Sequence, residues 1–461
     1  MQFALLVLLT AVLFIRPSDL IPAWEKIPMY QMVILACIAS SYPLMTRQLQ
    51  MPTMTRRPVT LCLVCLWMSV CVSSLLNANF YECRYWAMEF AKLLILYLLM
   101  ISVIRSSEML DRYLSWLLLL VAIQAVLAIL QYHGVIHVEA LAAYQQREID
   151  EITGEVIEFA RLCGAGMFHD PNDVCLLFNV AILLGLSRIE MSKKKLVKLL
   201  WACLMGMFFY GILCTQSRGG LLALGAGLGG WTAIRFGIKR LIPFAVIGFV
   251  GLIVAGGERI TRFEVDGGTG QHRIHLWRDA LSLFVDSPIV GIGTGLLPEY
   301  TRLVAHNSYV HAFAELGLLG GCAFVGAITL SIKPLIRGLR WKGPAKDAQD
   351  IARLASISGA MISFAFGIVF LSRVYVVPTY FMMALAVLVQ TYRNTSTVTT
   401  ERDRIETKAQ LPVEIEQLVK KSKTALQETQ QTWTGILFRV GRDGVIALII
   451  LEVGSRLLVN Y

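Results

Sequence analysis

The stretch “LVAHNSYVHAFAELGLLGG”, residues 303–321, leads into an apolar segment at residues 308–331 that is long enough to cross a membrane. His306 stands immediately before this segment, and His311 stands one helical turn inside it. Polar groups are costly in lipid, so two imidazoles at the edge of a membrane helix need a functional or structural reason. The stretch therefore predicts a helical membrane protein with candidate chemistry at a helix end.

The composition of the whole chain also indicates a membrane protein. Of its 461 residues, 56% are hydrophobic and 16% are charged, whereas soluble domains carry about 25% charged residues. Helices satisfy their own backbone polar groups in lipid, so the apolar runs predict an all-α polytopic protein with about twelve membrane-spanning helices. Their approximate positions are residues 2–15, 28–45, 58–76, 86–104, 113–132, 171–187, 197–214, 219–234, 241–255, 308–331, 352–371 and 376–391.

The net charge of +10 is interpreted as a signal of membrane orientation. A basic soluble protein could bind nucleic acid, but here we expect no nucleic-acid partner, because Lys and Arg mark the cytoplasmic loops of membrane proteins. Basic loops such as “RIEMSKKKLVK” fall inside when the N-terminus is cytoplasmic. Twelve spans then return the C-terminus to the cytoplasm and place two long loops, near residues 133–170 and 256–307, outside.

The sequence predicts a transmembrane domain at residues 1–392 and a polar cytoplasmic tail at residues 393–461. Within the tail, residues 444–451 are apolar but short for a span, and charged residues flank them. We expect a helix on the inner membrane surface, with a thirteenth span over residues 436–460 as the alternative. The tail is expected to bind a protein partner or to tether the chain to the membrane.

All seven histidines lie on or next to the predicted outer side of the membrane, so chemistry is expected on that side. His272 and His275 are three residues apart and could share one helix face, but no third ligand has a fixed spacing. We therefore predict no metal site. The glycine-rich “GIGTG”, residues 291–295, does not follow a strand of a βαβ unit, and it is interpreted as a tight turn.

Several arginines near the predicted outer side are candidate anion-binding residues. Arg161 precedes the turn “HDPND”, Arg218 lies between two apolar runs in “SRGGLL”, and Arg273 and Arg278 open an amphipathic helix. A guanidinium stays charged and binds phosphate oxygens through two parallel hydrogen bonds. The glycines after Arg218 are expected to leave room for a ligand, and the alternative is an arginine that snorkels at a helix end.

His306 is the candidate general base, because an imidazole can take a proton from a hydroxyl near neutral pH. Asn307 is expected to cap the helix that follows. His311 has two interpretations that stay open: it positions His306, or it is a buried structural histidine.

The run “HNSYVHAFAELGLLGG” resembles the signature of bacterial O-antigen ligases. In that signature His is followed by Asn, Ser or Gln, nine residues, Gly, two residues, Gly, and then Gly, Thr or Tyr. The fixed positions hold His306, Asn307, Gly317, Gly320 and Gly321. We also expect the three glycines to let this helix pack closely against its neighbours.

Three further stretches are similar to the same family. “SRGGL” resembles its Arg-x3-Leu element, with Arg218 and Leu222 at the named positions. “RIHLWRDALSLFVDSPIVGIGTG” is similar to its second outer loop, where Arg273 is the best match, and “RLCGAGMFHDPND” is similar to the stretch before the sixth span, where Arg161 is matched.

The resemblance implies a glycosyltransferase of the GT-C type in the bacterial inner membrane, which works at the periplasmic face without metal or cofactor. The donor would be a glycan linked to undecaprenyl diphosphate, and the acceptor would be a hydroxyl of lipid A–core or a similar lipid. His306 would be the general base, with inversion at the anomeric carbon. The diphosphate would be bound by Arg161, Arg218 and Arg273. Secondary candidates are Arg278, Asn307 and His311.

Two alternatives to a ligase stay open. A polymerase that joins glycan units on the same lipid carrier would share the architecture, the arginines and the base. A transporter of lipid-linked oligosaccharides would place charged residues near the midplane and often carries inverted repeats. We find no such repeat in the sequence.

Overall fold

The computed structural model describes residues 1–78, 80–149, 156–240, 269–337, 348–408, 439–448 and 450–451. Within these ranges the chain is mainly helical, and its strands form one antiparallel pair. The prediction of an all-α polytopic membrane protein is confirmed.

The helices and strands are numbered here in chain order. The helices are α1 (Gln2–Ile15), α2 (Pro17–Leu20), α3 (Met29–Gln48), α4 (Met51–Arg56), α5 (Pro58–Asn77), α6 (Phe80–Val103), α7 (Ser107–Tyr132), α8 (Pro171–Met191), α9 (Lys195–Thr215), α10 (Arg218–Phe236), α11 (Thr269–Asp286), α12 (Leu297–Thr301), α13 (Ser308–Arg337), α14 (Ala348–Gly367) and α15 (Val377–Lys408). The strands are β1 (Tyr144–Ile149) and β2 (Val156–Arg161).

Eight helices of the described ranges are long and apolar enough to cross a membrane: α3, α5, α6, α7, α8, α9, the Ser308–Lys333 part of α13, and Ala348–Phe370. The predicted segments 2–15 and 376–391 form the shorter apolar helices Gln2–Ile15 and Val377–Tyr392. The segment 219–234 lies in the 19-residue helix α10, which is not among the eight. The segment 241–255 lies outside the described residues. The number of twelve spans and the orientation stay predictions.

The chain forms two compact units. Unit 1 comprises Met1–Tyr42, Val103–Asp266 and Leu335–Leu371, and unit 2 comprises Pro43–Ser102, Gly267–Pro334 and Ser372–Tyr461. Each unit contains some of the candidate residues.

Unit 1 is built around α8, which contacts α9, α10 and α14. Small residues bring α10 and α14 together: a Cβ on Gly227 would lie 2.6 Å from Cβ of Ser363 and 2.9 Å from the carbonyl oxygen of Gly359. In lipid, where apolar burial drives helix association weakly, such close backbone approach is a main source of stability.

An ion-pair network also joins three helices of unit 1. Asp111 on α7 accepts hydrogen bonds from Arg188 on α8, at 2.8 Å, and from Arg353 on α14, at 2.5 and 2.9 Å. Asp350 accepts a further bond from Arg353 at 2.6 Å. Buried charges of this kind need their partners, because an uncompensated charge in a dry interior is costly.

In unit 2, α13 is broken at Gly317, whose φ of 61° and ψ of −159° are not helical. This differs from the expected continuous helix with three close-packing glycines. Gly317 meets backbone rather than a neighbouring helix, since its Cβ would lie 2.4 Å from the carbonyl of Ile289. Gly320 and Gly321 make room for side chains of the same helix, those of Leu316 and Phe313.

The helical segment at residues 439–448 packs along α13 within unit 2. A Cβ on Gly326 would lie 2.6 Å from Val440, and a Cβ on Gly444 would lie 2.5 Å from Sγ of Cys322. Asp443 forms an ion pair with Lys333. Further on, Leu448 and Leu451 pack against the apolar cluster that contains residues of α11 and α13. The segment thus packs against α13, and both the expected helix on the inner membrane surface and its alternative, a thirteenth span, stay predictions.

Candidate functional site

Arg161 ends β2 and is held in unit 1 by three hydrogen bonds. It donates from Nε to the carbonyl of Thr215 at 2.8 Å, from Nη1 to Oε1 of Gln146 at 2.8 Å, and from Nη2 to Oδ1 of Asn172 at 3.0 Å. Its exposed fraction is 8%. The hairpin of β1 and β2, which the sequence did not predict, supplies both Arg161 and Gln146. These bonds fix the position of the guanidinium.

Side-chain hydrogen bonds connect Arg161 to Ser217, the residue that precedes Arg218. Ser217 donates from its hydroxyl to Oδ1 of Asn172, the same oxygen that Arg161 contacts, at 2.7 Å. The Ser217 hydroxyl also accepts the N–H of Gly220 and so caps α10. Arg218 is therefore the first residue of α10, where it is exposed to the surroundings. A helix N-terminus favours anions, so unit 1 offers two guanidinium groups and a helix end at one corner.

The glycines after Arg218 have a packing role, which corrects the expectation that they leave room for a ligand. A Cβ on Gly220 would lie 2.2 Å from Sγ of Cys175 on α8. A Cβ on Gly219 would lie 3.2 Å from the ring of Phe370. The glycines let α10 begin close to its neighbours.

Asp170 and Cys163 flank this corner without a catalytic geometry. Asp170 accepts the N–H of Asn172 at 2.7 Å and is the N-cap of α8. Burial raises the pKa of the Cys163 thiol to about 11. Cys163 is thus a neutral core residue at ordinary pH.

His306 lies immediately before α13 in unit 2 and is half-buried. Its φ of 49° is left-handed, a conformation that non-glycine residues seldom adopt and that costs free energy. Asn307 follows as the predicted cap, because its Oδ1 accepts the N–H of Tyr309 at 3.0 Å and of Val310 at 3.2 Å. Ser308 accepts the N–H of Arg373 at 2.8 Å. The backbone on the helix side of His306 is therefore firmly anchored.

His311 is buried beside Glu315, a residue that the sequence analysis missed. Nε2 of His311 lies 3.1 Å from Oε1 of Glu315, and the two side chains are 8% and 0% exposed. The ring of His311 meets Tyr375 edge to face at a centroid distance of 5.7 Å. Burial and the nearby Glu315 carboxylate raise the pKa of Tyr375 well above its usual range, so the phenol is neutral. The four-residue spacing of His311 and Glu315 was the available signal for this pair.

The loop at residues 287–297 fills the break in α13. Its Ile292 and Gly293 donate their N–H groups to the carbonyls of Ala314 and Glu315, at 3.0 and 3.1 Å. In return, the amides of Leu318 and Leu319 donate to carbonyls of this loop, at 2.8 and 3.3 Å. Irregular backbone at membrane depth is tolerated where protein satisfies it, and here a preceding loop does so.

The three glycines of “GIGTG” all have positive φ, with values of 71°, 112° and 80° at Gly291, Gly293 and Gly295. The predicted turn is thus a loop laid against a helix. Asn77 donates to the carbonyl of Gly291 at 2.9 Å, and Ser73 donates to that of Glu315 at 2.6 Å. α5 therefore secures both sides of this junction.

Arg273 and Arg278 lie on α11, which has the predicted amphipathic character. Arg278 is exposed and Arg273 is partly buried. The buried face of α11 carries Leu276, Ala280, Leu281 and Phe284. By helical spacing Arg273 lies on the side of this face, whereas Arg278 lies away from it.

Of the two histidines predicted to share a face of α11, the structure describes the side chain of His275. His275 is exposed, whereas the side chain of His272 lies outside the described residues. Among the residues that the structure describes, no group of three or more His, Cys, Asp or Glu side chains is arranged to hold a metal ion.

The candidate residues thus fall into two sets. Unit 1 brings Arg161 and Arg218 together, and unit 2 contains Arg273, Arg278, His306, Asn307 and His311. A family model described as O-antigen ligase matches residues 202–325, roughly a quarter of the chain. This region includes every candidate residue except Arg161. A search of curated proteins gives no match.

Proposed function

We propose, from the premise that residues 202–325 form an O-antigen ligase domain, that this membrane protein transfers a glycan from undecaprenyl diphosphate to an acceptor hydroxyl. We further propose that lipid A–core or a similar lipid is the acceptor and that the reaction takes place at the periplasmic face of the bacterial inner membrane. The acceptor oxygen forms a bond to the anomeric carbon as the bond to the diphosphate breaks, with inversion.

This proposal rests on His306, which lies within the matched residues and heads the run that resembles the ligase signature. Its left-handed backbone, with φ 49°, is a local strain of the kind that is concentrated at functional sites. Asn307 anchors the adjacent helix end. In the proposed reaction the imidazole of His306 takes the proton from the acceptor hydroxyl, which makes the oxygen a better nucleophile.

The arginines support the departure of the diphosphate. Arg218 presents an exposed guanidinium at a helix N-terminus, where positive charge and helix dipole favour an anion. Arg161 is held beside the N-terminus of α10 by its bonds to Thr215 and Asn172, and we assign it to the same anion. We assign Arg273 to the same task on the basis of its place in the matched domain, and Arg278 is a further candidate. Together these charges would stabilise the negative charge that develops on the leaving group.

A reconstituted transfer assay tests the function. Purified protein in liposomes receives undecaprenyl diphosphate-linked glycan and lipid A–core, and glycan on lipid A–core is measured. We expect transfer by the wild type, and a loss of about 100-fold or more in His306→Ala, because a general base contributes this order of rate. His137→Ala removes an exposed histidine and is the matched control.

The outcomes separate the alternatives. Lengthening of the lipid-linked glycan without transfer to lipid A–core would identify a polymerase instead. Flipping of the lipid-linked glycan that His306→Ala leaves unchanged, with no transfer in any variant, would support a transporter. Full transfer activity in His306→Ala would remove His306 as the base.

A further inference from the structure

Glu315 holds the 287–297 loop on α13 through its side chain. Oε2 accepts the N–H of Gly295 at 2.9 Å, and Oε1 accepts the N–H of Leu297 at 3.1 Å. The residue is fully buried, with 0% exposed. Hydrogen bonds to an ionised carboxylate are roughly twice as strong as those between neutral groups. The buried carboxylate therefore joins α13 to two amides of a loop, 20 and 18 residues earlier in the chain.

The loop lies between the elements of unit 2 that carry the candidate residues. α11, with Arg273 and Arg278, ends at the residue before the loop, and α12 begins at Leu297, the last residue of the loop. The chain then returns to α13 at His306. The segment from Leu297 to His306 is thus held to α13 at both ends, by the Glu315 carboxylate and by the helix cap.

Apolar packing passes the position of Leu297 on to the neighbourhood of His306. Leu297 and Ala305, the residue before His306, belong to one buried cluster with Val310 and Ala314 of α13. Leu297 and Ala305 are 0% and 1% exposed. A change in where Leu297 lies would therefore shift the backbone that presents the imidazole, because close-packed interiors transmit small displacements.

We propose that Glu315 is a positioning residue for the transfer reaction: by holding Gly295 and Leu297 it sets the place of His306 relative to α11. The catalytic consequence rests on the proposed function. The attachment of the loop to α13 by Glu315 does not depend on it and can be measured without substrate.

Glu315→Gln is the sharpest substitution, because the side chain keeps its size. The glutamine carbonyl oxygen can accept one of the two backbone N–H groups, whereas its amide nitrogen carries hydrogens and cannot accept the other. Glu299→Gln makes the same chemical change on an exposed residue of α12 and is the matched control. If Glu315→Gln does not accumulate, Glu315→Asp keeps the charge on a side chain that is one methylene shorter, and it is measured in the same way.

Hydrogen exchange of the full-length protein in lipid nanodiscs tests the attachment. A hydrogen bond to a charged group is worth about 1.5–3 kcal/mol, so its loss corresponds to exchange that is about 10- to 100-fold faster. We expect this acceleration in Glu315→Gln at whichever of the Gly295 and Leu297 amides faces the glutamine NH2 group, with the rest of α13 and all of Glu299→Gln as in the wild type. Unchanged exchange at both amides would overturn the attachment.

Steady-state kinetics tests the positioning role. We expect kcat of Glu315→Gln to fall about 10- to 100-fold, while KM for the lipid-linked donor stays within about threefold, because donor-binding arginines are not altered. A general loss of stability would instead lower the fraction of protein that is folded. The amount of folded protein is therefore measured for each variant, and kcat is calculated per folded molecule. Faster exchange with unchanged kcat would overturn positioning, and absence of transfer in the wild type would overturn the proposed function while leaving the exchange result valid.

Discussion

At the scale of residues, the two central candidates both stand at the N-terminal ends of helices. Ser217 caps α10 next to Arg218, and Asn307 caps α13 next to His306. A helix end carries about half a positive elementary charge. Each unit therefore presents a partial positive charge beside its candidate residue.

The planar guanidinium of Arg218 is expected to matter for diphosphate binding, beyond its positive charge. We expect Arg218→Lys to weaken binding of the diphosphate lipid about tenfold or more, since a compact ammonium cannot form two parallel hydrogen bonds to phosphate oxygens. Binding of undecaprenyl diphosphate to protein in nanodiscs measures this effect. Arg235→Lys is the control, because it changes the other end of the same helix, where Arg235 pairs with Glu190. Equal affinity in Arg218→Lys and wild type would contradict the role of Arg218.

Single residues were predictable to the extent that their role is local in sequence. The cap at Asn307 is predicted by the residue type before an apolar run, and in the structure Asn307 Oδ1 accepts the N–H of Tyr309. The four-residue spacing from His311 signals only a pair with Glu315, and the other partners of Glu315 are backbone amides 18 and 20 residues earlier. Such partners depend on the path of a loop, and no side-chain pattern encodes that path.

At the scale of elements, the break in α13 at Gly317 is a specific feature of the fold, since the 287–297 loop pairs with the backbone on both sides of it. A sequence window of uniform hydropathy predicts an unbroken helix over residues 308–331, because hydropathy carries no information on φ and ψ. Only Gly317 hints at the break, and isolated glycines are also common in continuous membrane helices. The β1–β2 hairpin was missed for a related reason: its short strands carry charged residues and show no buried alternation.

Gly317→Ala is predicted to destabilise the protein. The added Cβ would lie 2.4 Å from the Ile289 carbonyl, and the left-handed φ of 61° is unfavourable for alanine. We expect a loss of about 1–3 kcal/mol or more, measured as a lower midpoint of thermal unfolding in detergent. Gly206→Ala on α9 is the control. Nothing lies within 4 Å of its added Cβ, so alanine should be neutral or stabilise by up to about 1 kcal/mol. Similar midpoints for the two variants would argue against the backbone junction.

At the scale of the whole molecule, composition was sufficient to predict the class of protein. It was not sufficient to predict how the helices are grouped into two units. The apolar content predicted a polytopic helical protein, and eight helices of the described part meet the length and hydropathy needed to span a membrane. The division into two units, by contrast, joins stretches that are distant in sequence. It arises from packing between small residues and from ion pairs such as Asp111 with Arg353, which a linear hydropathy profile does not contain.

The predicted orientation can be tested with introduced cysteines. We expect His137→Cys to react with a membrane-impermeant maleimide in intact spheroplasts, and Lys194→Cys to react only after permeabilisation. The reason is that the basic run around Lys194 should be retained in the cytoplasm. Both positions are exposed, and the exposed Cys203 is replaced by Ser in the background. The reverse labelling pattern would invert the orientation and place His306 on the cytoplasmic side.

The junction between α13 and the 287–297 loop has a consequence for the order of biosynthesis. Its pairs are close in sequence, as with Leu297 and Glu315, which are 18 residues apart, so closing them costs little chain entropy. The loop is also translated before the helix that it completes. The two parts of the broken helix can therefore pair with the loop as they enter the bilayer. The remaining donors, Ser73 and Asn77, lie 242 and 214 residues before their acceptors, in a helix that is synthesised much earlier.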